Sequence, residues 1–250
     1  MDLVGRTQPG EILLAAAHTN VDQCELSPGI SRPVNVAGTG HVAEAAAVCG
    51  ARLTYFSTDY VFDGRAGPYR EEDSPHPVSE YGRQKLEAEG IVARLLPERH
   101  LIVRTTVVFG WERRPRNFVV RLIESNRAGR RMKVPNDQFG SPTYAPNLAA
   151  AVEELNELGA TGLFNVTGTT IIDRFSFALL AADVFGLAPR LIEPVTTGQL
   201  NQAALRPLRA GLTVQRAEGV LKRTRLLPAR EGLEAMRQAG RSKDGGLGGA

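Results

Sequence analysis

A tyrosine and a lysine four positions apart, Tyr81 and Lys85, share one face of any helix that contains them. A threonine, Thr58, stands just beyond the apolar run at residues 53–56. These three types can build a proton-donating site. Tyrosine ordinarily keeps its proton to a pKa of about 10, and each unit of lowering is about 1.4 kcal/mol of preferential stabilisation of the phenolate. A lysine ammonium one turn away supplies such stabilisation. A threonine hydroxyl can hydrogen-bond a substrate carbonyl and hold it in line with the phenol while hydride arrives from the other side. Positioned acid catalysis of this kind is worth roughly 100- to 10,000-fold. The competing reading is an ordinary surface pair, because with five tyrosines and four lysines in the chain the bare spacing is not specific. Context favours the chemistry: a strand ending in Ser-Thr-Asp-Tyr, an acidic and proline-rich loop over residues 63–80, then a helix carrying the pair.

The elements that must position these residues read as α/β. Apolar strand-like runs at residues 11–16, 53–56, 101–104 and 163–166 alternate with helical stretches, which argues for a parallel sheet. Helices are expected at residues 36–49, 117–128, 145–158 and 174–185, with a turn-rich polar loop at 137–143. At 250 residues and 42% hydrophobic content, the chain can bury a substantial core in one or two domains. No window approaches the roughly 18 apolar residues of a membrane span, and no basic-then-apolar leader follows Met1. The expected setting is cytoplasmic.

Charge points to no macromolecular partner. The balance is +3 with a pI of about 9.1, and the 30 basic residues are interleaved with 27 acids. Aromatics are 6%, too few for a basic face with stacking platforms, so nucleic acid is not an expected partner. Arg113, Arg114, Arg116 and Arg121 either meet a sugar-nucleotide diphosphate or form a solvated helix entry. Cys24 and Cys49 have no metal spacing and read as reduced and buried. The four histidines are scattered, so no metal site is expected, although His18 either lines a pocket or packs.

The runs STDYVFDG, PYREEDSPHPVSEYGRQK, RTTVVFG and NDQFGSPT occur in that order. Together they resemble the extended short-chain dehydrogenase/reductases, in particular the dTDP-4-dehydrorhamnose reductase group, over about residues 12–236. The resemblance implies a Rossmann-like, doubly wound parallel sheet with a smaller C-terminal substrate-binding lobe. Residues 1–110 would be a partial NAD(P)-binding domain, 111–240 mainly the substrate lobe with some elements returning to the sheet, and 241–250 a disordered tail. It implies NADP or NAD as cofactor and a nucleotide sugar as substrate. Tyr81 would be the acid, Lys85 would hold the nicotinamide ribose and lower the Tyr81 pKa, and Thr58 would meet the sugar carbonyl. Ala15, Ala16, Ala17, Thr19, Ser57, Tyr81 and Lys85 would contact the cofactor, and Val21, Asp22, Thr58, Tyr60 and Asn117 the substrate. A homodimer stays open.

The front of the chain departs from the family pattern. Members open with a strand and a glycine-rich turn that takes the cofactor pyrophosphate at a helix N-terminus. Residues 1–11 hold no such motif, and the segment from Ile12 resembles the family's fourth strand, so the fold is expected to be truncated at its N-terminal side. The strand at residues 11–16 would then be an apolar edge, with marginal stability and poor cofactor binding. Gly38-Thr39-Gly40-His41-Val42-Ala43 fits a relaxed dinucleotide fingerprint with Asp59 as ribose acid. A helix over residues 36–49 is the better account, with Val42, Ala45, Ala46 and Val48 packing and Gly38 and Gly40 approaching the sheet. Val107 stands where the group often has tryptophan. Arg206-Pro207-Leu208-Arg209 only partly matches a family segment, which puts sugar contacts there in doubt.

Three functions follow: an NAD(P)H-dependent 4-keto-sugar reductase, a non-catalytic subunit similar to the regulatory subunit of methionine adenosyltransferase or an inactive fragment, and an epimerase or dehydratase acting on another nucleotide sugar. A dehydratase would want Asp-Glu after the threonine, where this chain has Asp59-Tyr60.

Overall fold

The computed structural model describes residues 2–113 and 116–244. A short helix, Asp2–Thr7 (α1), precedes the first strand, Glu11–Leu14 (β1). Helices Val21–Leu26 (α2) and Pro28–Arg32 (α3) lead through a π-helical turn, Pro33–Gly38, into Thr39–Cys49 (α4). Strand Arg52–Thr58 (β2) runs into a 3-10 turn at Asp59–Val61, and the long helix Glu80–Leu95 (α5) returns the chain to His100–Thr105 (β3). There follow Val108–Phe109 (β4), Phe118–Arg127 (α6), Met132–Pro135 (β5), Phe139–Gly140 (β6), Thr143–Tyr144 (β7) and Ala145–Glu157 (α7). The last elements are Gly162–Asn165 (β8), Ile172–Asp173 (β9), Arg174–Phe185 (α8), Ile192–Val195 (β10), Gln215–Val220 (α9) and Ala229–Asp244 (α10).

Among the described residues, β1, β2, β3 and β8 form one sheet in that order, every pair parallel. Parallel strands need crossovers, and here these place helices on both faces. Side chains alternate across the sheet with period two. Leu53, Tyr55 and Ile102 pack with Ala43 and Ala46 of α4 and Ala88 and Val92 of α5. Leu101, Val103 and Phe164 pack on the other face with Leu148, Val152 and Leu155 of α7 and Ala217 of α9. A separate cluster of α6, α8 and α10 residues, including Leu122, Ile123, Phe177 and Leu233, encloses Val134 and Ile192 of the parallel β5–β10 pair. Among the described residues no helix is long and apolar enough to cross a membrane.

The Rossmann-like parallel sheet is as the sequence implies, and so are the caps that start several helices. Asn117 and Asp173 accept from the backbone N–H groups three residues on and begin α6 and α8 at the expected places. Gly38 to Ala43 is helical, so the relaxed fingerprint is no phosphate loop.

Other expectations are corrected. The first strand ends at Leu14, not at residue 16, where its register with Tyr55 runs out. Helical backbone begins near Pro28 and not at Val36, because Pro28 suits a first helical turn. Pro33 has no N–H to donate within that helix, and the backbone widens there into the π turn. Val48 is 84% exposed, since it sits two residues from the buried Ala46 and on the opposite side of α4. Nor do the glycines meet the sheet: a Cβ at Gly40 would touch Ile91 of α5, and one at Gly38 the Pro33 carbonyl. Cys24 is buried but Cys49 only half-buried. The expected tail fails for its first four residues, because α10 runs to Asp244; residues 245–250, like Arg114, lie outside the described residues. β5 and β10 were not legible as strands. Among the described residues β1 pairs with β2 alone, with Leu13 56% exposed.

A close approach brings α5 onto the turn after β2. A Cβ at Gly82 would stand 2.2 Å from the Tyr60 carbonyl oxygen, so only glycine lets this part of the helix seat against that turn. Gly82→Ala is therefore expected to cost about 1–3 kcal/mol through overpacking and to lower the thermal unfolding midpoint. Gly90→Ala on the same helix, where an added Cβ meets nothing within 4 Å, should leave the midpoint unchanged or raise it.

Candidate active site

The site lies at the C-terminal edge of the parallel sheet, where open α/β sheets take their ligands. Thr58 is the last residue of β2. Ser79 caps α5 by accepting the Gly82 N–H, which puts Tyr81 in the first helical turn and Lys85 one turn on. All three are buried, at 6%, 8% and 3% exposure. The ring of Tyr60 meets that of Tyr81 edge-on, centroids 5.7 Å apart. Lys85 Nζ donates to the Phe56 carbonyl at 2.7 Å and lies 4.1 Å from the centroid of the Tyr55 ring.

Burial sets the protonation of this group. It is the largest influence on Tyr81, whose phenol is held above its ordinary range by burial and by the nearby Asp59 and Tyr60, against a hydrogen bond with Thr58. Burial pushes Lys85 down to about 8, against the charge of Glu89. In this structure the Lys85 ammonium is directed at the Phe56 carbonyl, and burial outweighs the other influences on the Tyr81 phenol. Asp59 is pushed up to about 6, again chiefly by burial, against hydrogen bonds with Thr106 and Thr58 and the charge of Arg174.

The segment expected to meet a cofactor follows β1. Ala15, Ala16 and Thr19 are exposed and Ala17 half-buried. The loop is fixed at His18, whose N–H donates to Asn35 Oδ1 at 2.7 Å and whose carbonyl accepts from Asn35 Nδ2 at 3.0 Å. Asn35 also donates to Gln84 of α5, and Gln84 to Ser31 and Glu80. Ser57 donates to Glu89, which Arg104 grips through two nitrogens. Sequence reading missed Asn35, Gln84, Glu89, Arg104 and Arg174. Glu89 alone left a usable signal, a carboxylate one turn beyond Lys85 on the same face.

The residues expected at the substrate divide. Val21 and Asp22 sit in the first turn of α2, half-buried. The Asp22 carboxylate is paired with Arg206 at 2.9 Å and accepts the Ala204 N–H, which brings the doubtful 206–209 segment to the site. Tyr60 shares this neighbourhood, with Arg174, Asp59, Arg206 and Asp22 all acting on its phenol. Asn117 is committed elsewhere: it caps α6 and donates to the Gly110 carbonyl and Glu112. Arg113, Arg116 and Arg121 are exposed. Val107 has φ 46°, a left-handed backbone that is strained for a β-branched residue; its carbonyl accepts the Thr143 N–H.

The residues present fit the nicotinamide end of a dinucleotide. His18 Nε2 and Thr105 Oγ1 are buried without a partner, one in the loop after β1 and the other paired in register with Thr58, and a polar ligand at this edge would satisfy them. Among the described residues no glycine-rich strand-to-helix turn accompanies them, and no group of side chains could hold a metal ion.

Fold and site together define an extended short-chain dehydrogenase/reductase. Residues 1–241 match the RmlD substrate binding domain, and the chain belongs to that family. It is 33% identical to the dTDP-4-dehydrorhamnose reductase of Aggregatibacter actinomycetemcomitans over 234 residues, 87% of this chain and 78% of the relative. It is 35% identical to the probable low-salt glycan biosynthesis reductase of Haloferax volcanii over 84% of this chain and 71% of that one. The crystal structure of dTDP-4-dehydrorhamnose reductase from Bacillus anthracis in complex with NADP superposes with a TM-score of 0.89 at 31% identity, covering 95% of this chain and 83% of that one.

Because burial holds the Tyr81 phenol above its ordinary range, Tyr81 should stay protonated in the free protein to beyond about pH 10. Tyrosinate absorbance, followed against pH, is expected to be the same for wild type and Tyr81→Phe below that point. A component missing from the variant at lower pH would show that Lys85 does lower the phenol.

Proposed function

We propose that the chain reduces the keto group of a 4-keto nucleotide sugar of the dTDP-4-dehydrorhamnose type, using NADPH or NADH, with Tyr81 as proton donor. The observation that carries this reading is the buried Thr58, Tyr81 and Lys85 at the C-terminal edge of the sheet, in a chain similar to reductases of that name along most of its length. Residues 1–110 would serve mainly the cofactor and residues 111–240 mainly the substrate, with β8 returning to the sheet; the separate core around α6, α8 and α10 supports that division.

A reduced nicotinamide supplies hydride to the carbonyl carbon when bound. Ala15, Ala16, Ala17, Thr19, Ser57 and Lys85 would hold that group, the three alanines leaving room beside β1. Thr58 orients the carbonyl oxygen, and Tyr81 transfers its phenolic proton to that oxygen as the carbon is reduced. A phenol held neutral by burial is loaded for that transfer. Val21, Asp22 and Tyr60 would border the sugar, and Arg174 and Arg206, near Tyr60, bring positive charge to an anionic substrate. The nucleotide sugar is the one partner required. A homodimer and a cytoplasmic setting belong to the same proposal: the exposed apolar Ile30, Val34 and Val48 support the first and the unpaired Cys24 and Cys49 the second.

Tyr81→Phe is expected to lower kcat roughly 100- to 10,000-fold, followed as NADPH consumption with dTDP-4-dehydrorhamnose, while the thermal midpoint stays that of the wild type. Wild-type protein that binds a nucleotide sugar but consumes no NADPH would overturn the reductase reading and favour a binding subunit.

A further inference from the structure

One hydroxyl proton in the site has more claimants than it can serve. Thr58 Oγ1 donates to Asp59 Oδ1 at 3.1 Å and accepts the Tyr60 backbone N–H at 3.2 Å. A threonine hydroxyl has a single proton. While Asp59 holds it, Thr58 cannot offer it to a ketone oxygen beside Tyr81, nor to the Tyr81 phenolate that remains after proton transfer. The assignment of Thr58 to the substrate carbonyl therefore meets a conflict inside the protein itself.

Asp59 is the group that can lift the conflict. It is 3% exposed and sits in the turn between the end of β2 and the loop leading to α5. The groups that face it are Thr58 and Tyr60 from its own segment, Tyr81 from α5, Thr106 from just beyond β3 and Arg174 from the start of α8. An ionised carboxylate only accepts, whereas a protonated one has an O–H to give. Neutral Asp59 can donate to Thr58 Oγ1 in place of taking from it, and the Thr58 proton is then free to turn outward.

We propose that Asp59 is a positioning residue that acts through Thr58, turning the Thr58 hydroxyl toward a substrate carbonyl when protonated and keeping it turned inward when ionised. The consequence for turnover rests on the reductase reading above; the coupling between the two side chains does not. Asp59 takes up one proton from solvent when it switches and returns it when it ionises; the direction of the Thr58–Asp59 hydrogen bond reverses with it, that proton is not passed to the substrate, and Tyr81 remains the donor to the reduced oxygen. Burial supports the neutral form near neutrality by pushing the Asp59 carboxyl up to about 6. Since the protonated form is the competent one, kcat/KM should fall as pH rises through that value, by about tenfold for each further unit.

Two measurements on the full chain test this. The first needs no substrate: the side-chain carboxyl carbon of Asp59, assigned with Asp59→Asn, is titrated by carbon-13 NMR. A midpoint about 6 is expected, and Thr58→Val should move it upward, because the variant removes a donor to the carboxylate. A midpoint in the ordinary range of about 4, or one that Thr58→Val leaves in place, overturns the coupling. The second is the pH profile of kcat/KM for wild type and Asp59→Asn. An asparagine amide donates to Thr58 at every pH, so the limb above about pH 6 should vanish. A variant that is slower but keeps the limb shows a structural role only and overturns the proposal. A wild type without turnover strikes the reductase reading and leaves the NMR titration to decide the coupling.

Discussion

Where the Glu89 carboxylate goes, α5 must follow. Glu89 is buried between that helix and the sheet, where it accepts from Ser57 of β2 and from Nε and an Nη of Arg104 of β3. The ion pair is nearly dry, with side-chain exposures of 4% and 8%. A two-point grip of guanidinium on carboxylate fixes orientation as well as distance, and removing one partner of such a pair typically costs about 3–5 kcal/mol because it strands the other charge. Glu89 lies one turn beyond Lys85 and two beyond Tyr81, so holding it sets the rotation of α5 about its axis. Lys85 adds a second point of attachment through the Phe56 carbonyl, again on β2. The tyrosine faces the end of the sheet because the residues below it on the helix are tied to two strands.

The opposite flank of α5 is tied to the loop after β1. Gln84 is buried and links Ser31, Glu80 and Asn35, and Asn35 holds both backbone groups of His18. Asn35 lies in the π turn that Pro33 imposes on the helix. A backbone irregularity at one position thus supports a loop seventeen residues earlier in the chain. With Glu89 on one side and Gln84 on the other, the sheet edge, the helix and the loop behave as one body. Gly82 completes it by allowing the first turn of α5 to meet the Tyr60 carbonyl without a Cβ between them.

Enclosure has a uniform electrical effect. Burial raises Asp59 and Tyr81 and lowers Lys85, so all three lean toward their neutral forms. For Lys85 the linkage runs one way: with its folded pKa near 8 against an ordinary 10.5, the unfolded chain binds the extra proton between those values, and stability rises with pH across that window. A site of neutral donors suits proton transfer to a carbonyl oxygen that becomes basic as its carbon is reduced. It also makes hydrogen-bond direction, more than net charge, the property that decides which group donates to which.

Much of this protein is written locally. The four-strand parallel pattern follows from apolar runs separated by helical stretches, and α6 and α8 begin where Asn117 and Asp173 can cap them. The Tyr81–Lys85 spacing and the motif order were enough to place the chain in its family, since each depends only on neighbours within a turn or a strand. Helix limits around Pro28 to Gly38 were misjudged because a proline inside a helix is tolerated only where the turn can widen, which tertiary contacts decide. The short β5 and β10 carry no clear period of their own and exist as a pair. What the sequence by itself determined was the set of elements and the types and spacing of the side chains at the candidate site. Only the tertiary structure decided that Asp59 holds the Thr58 proton, that Arg104 meets Glu89, that Asn35 clamps His18 and that Arg206 returns to Asp22. Those pairings join hydrogen-bonding groups from different elements, and their geometry exists only after the sheet and its helices have packed.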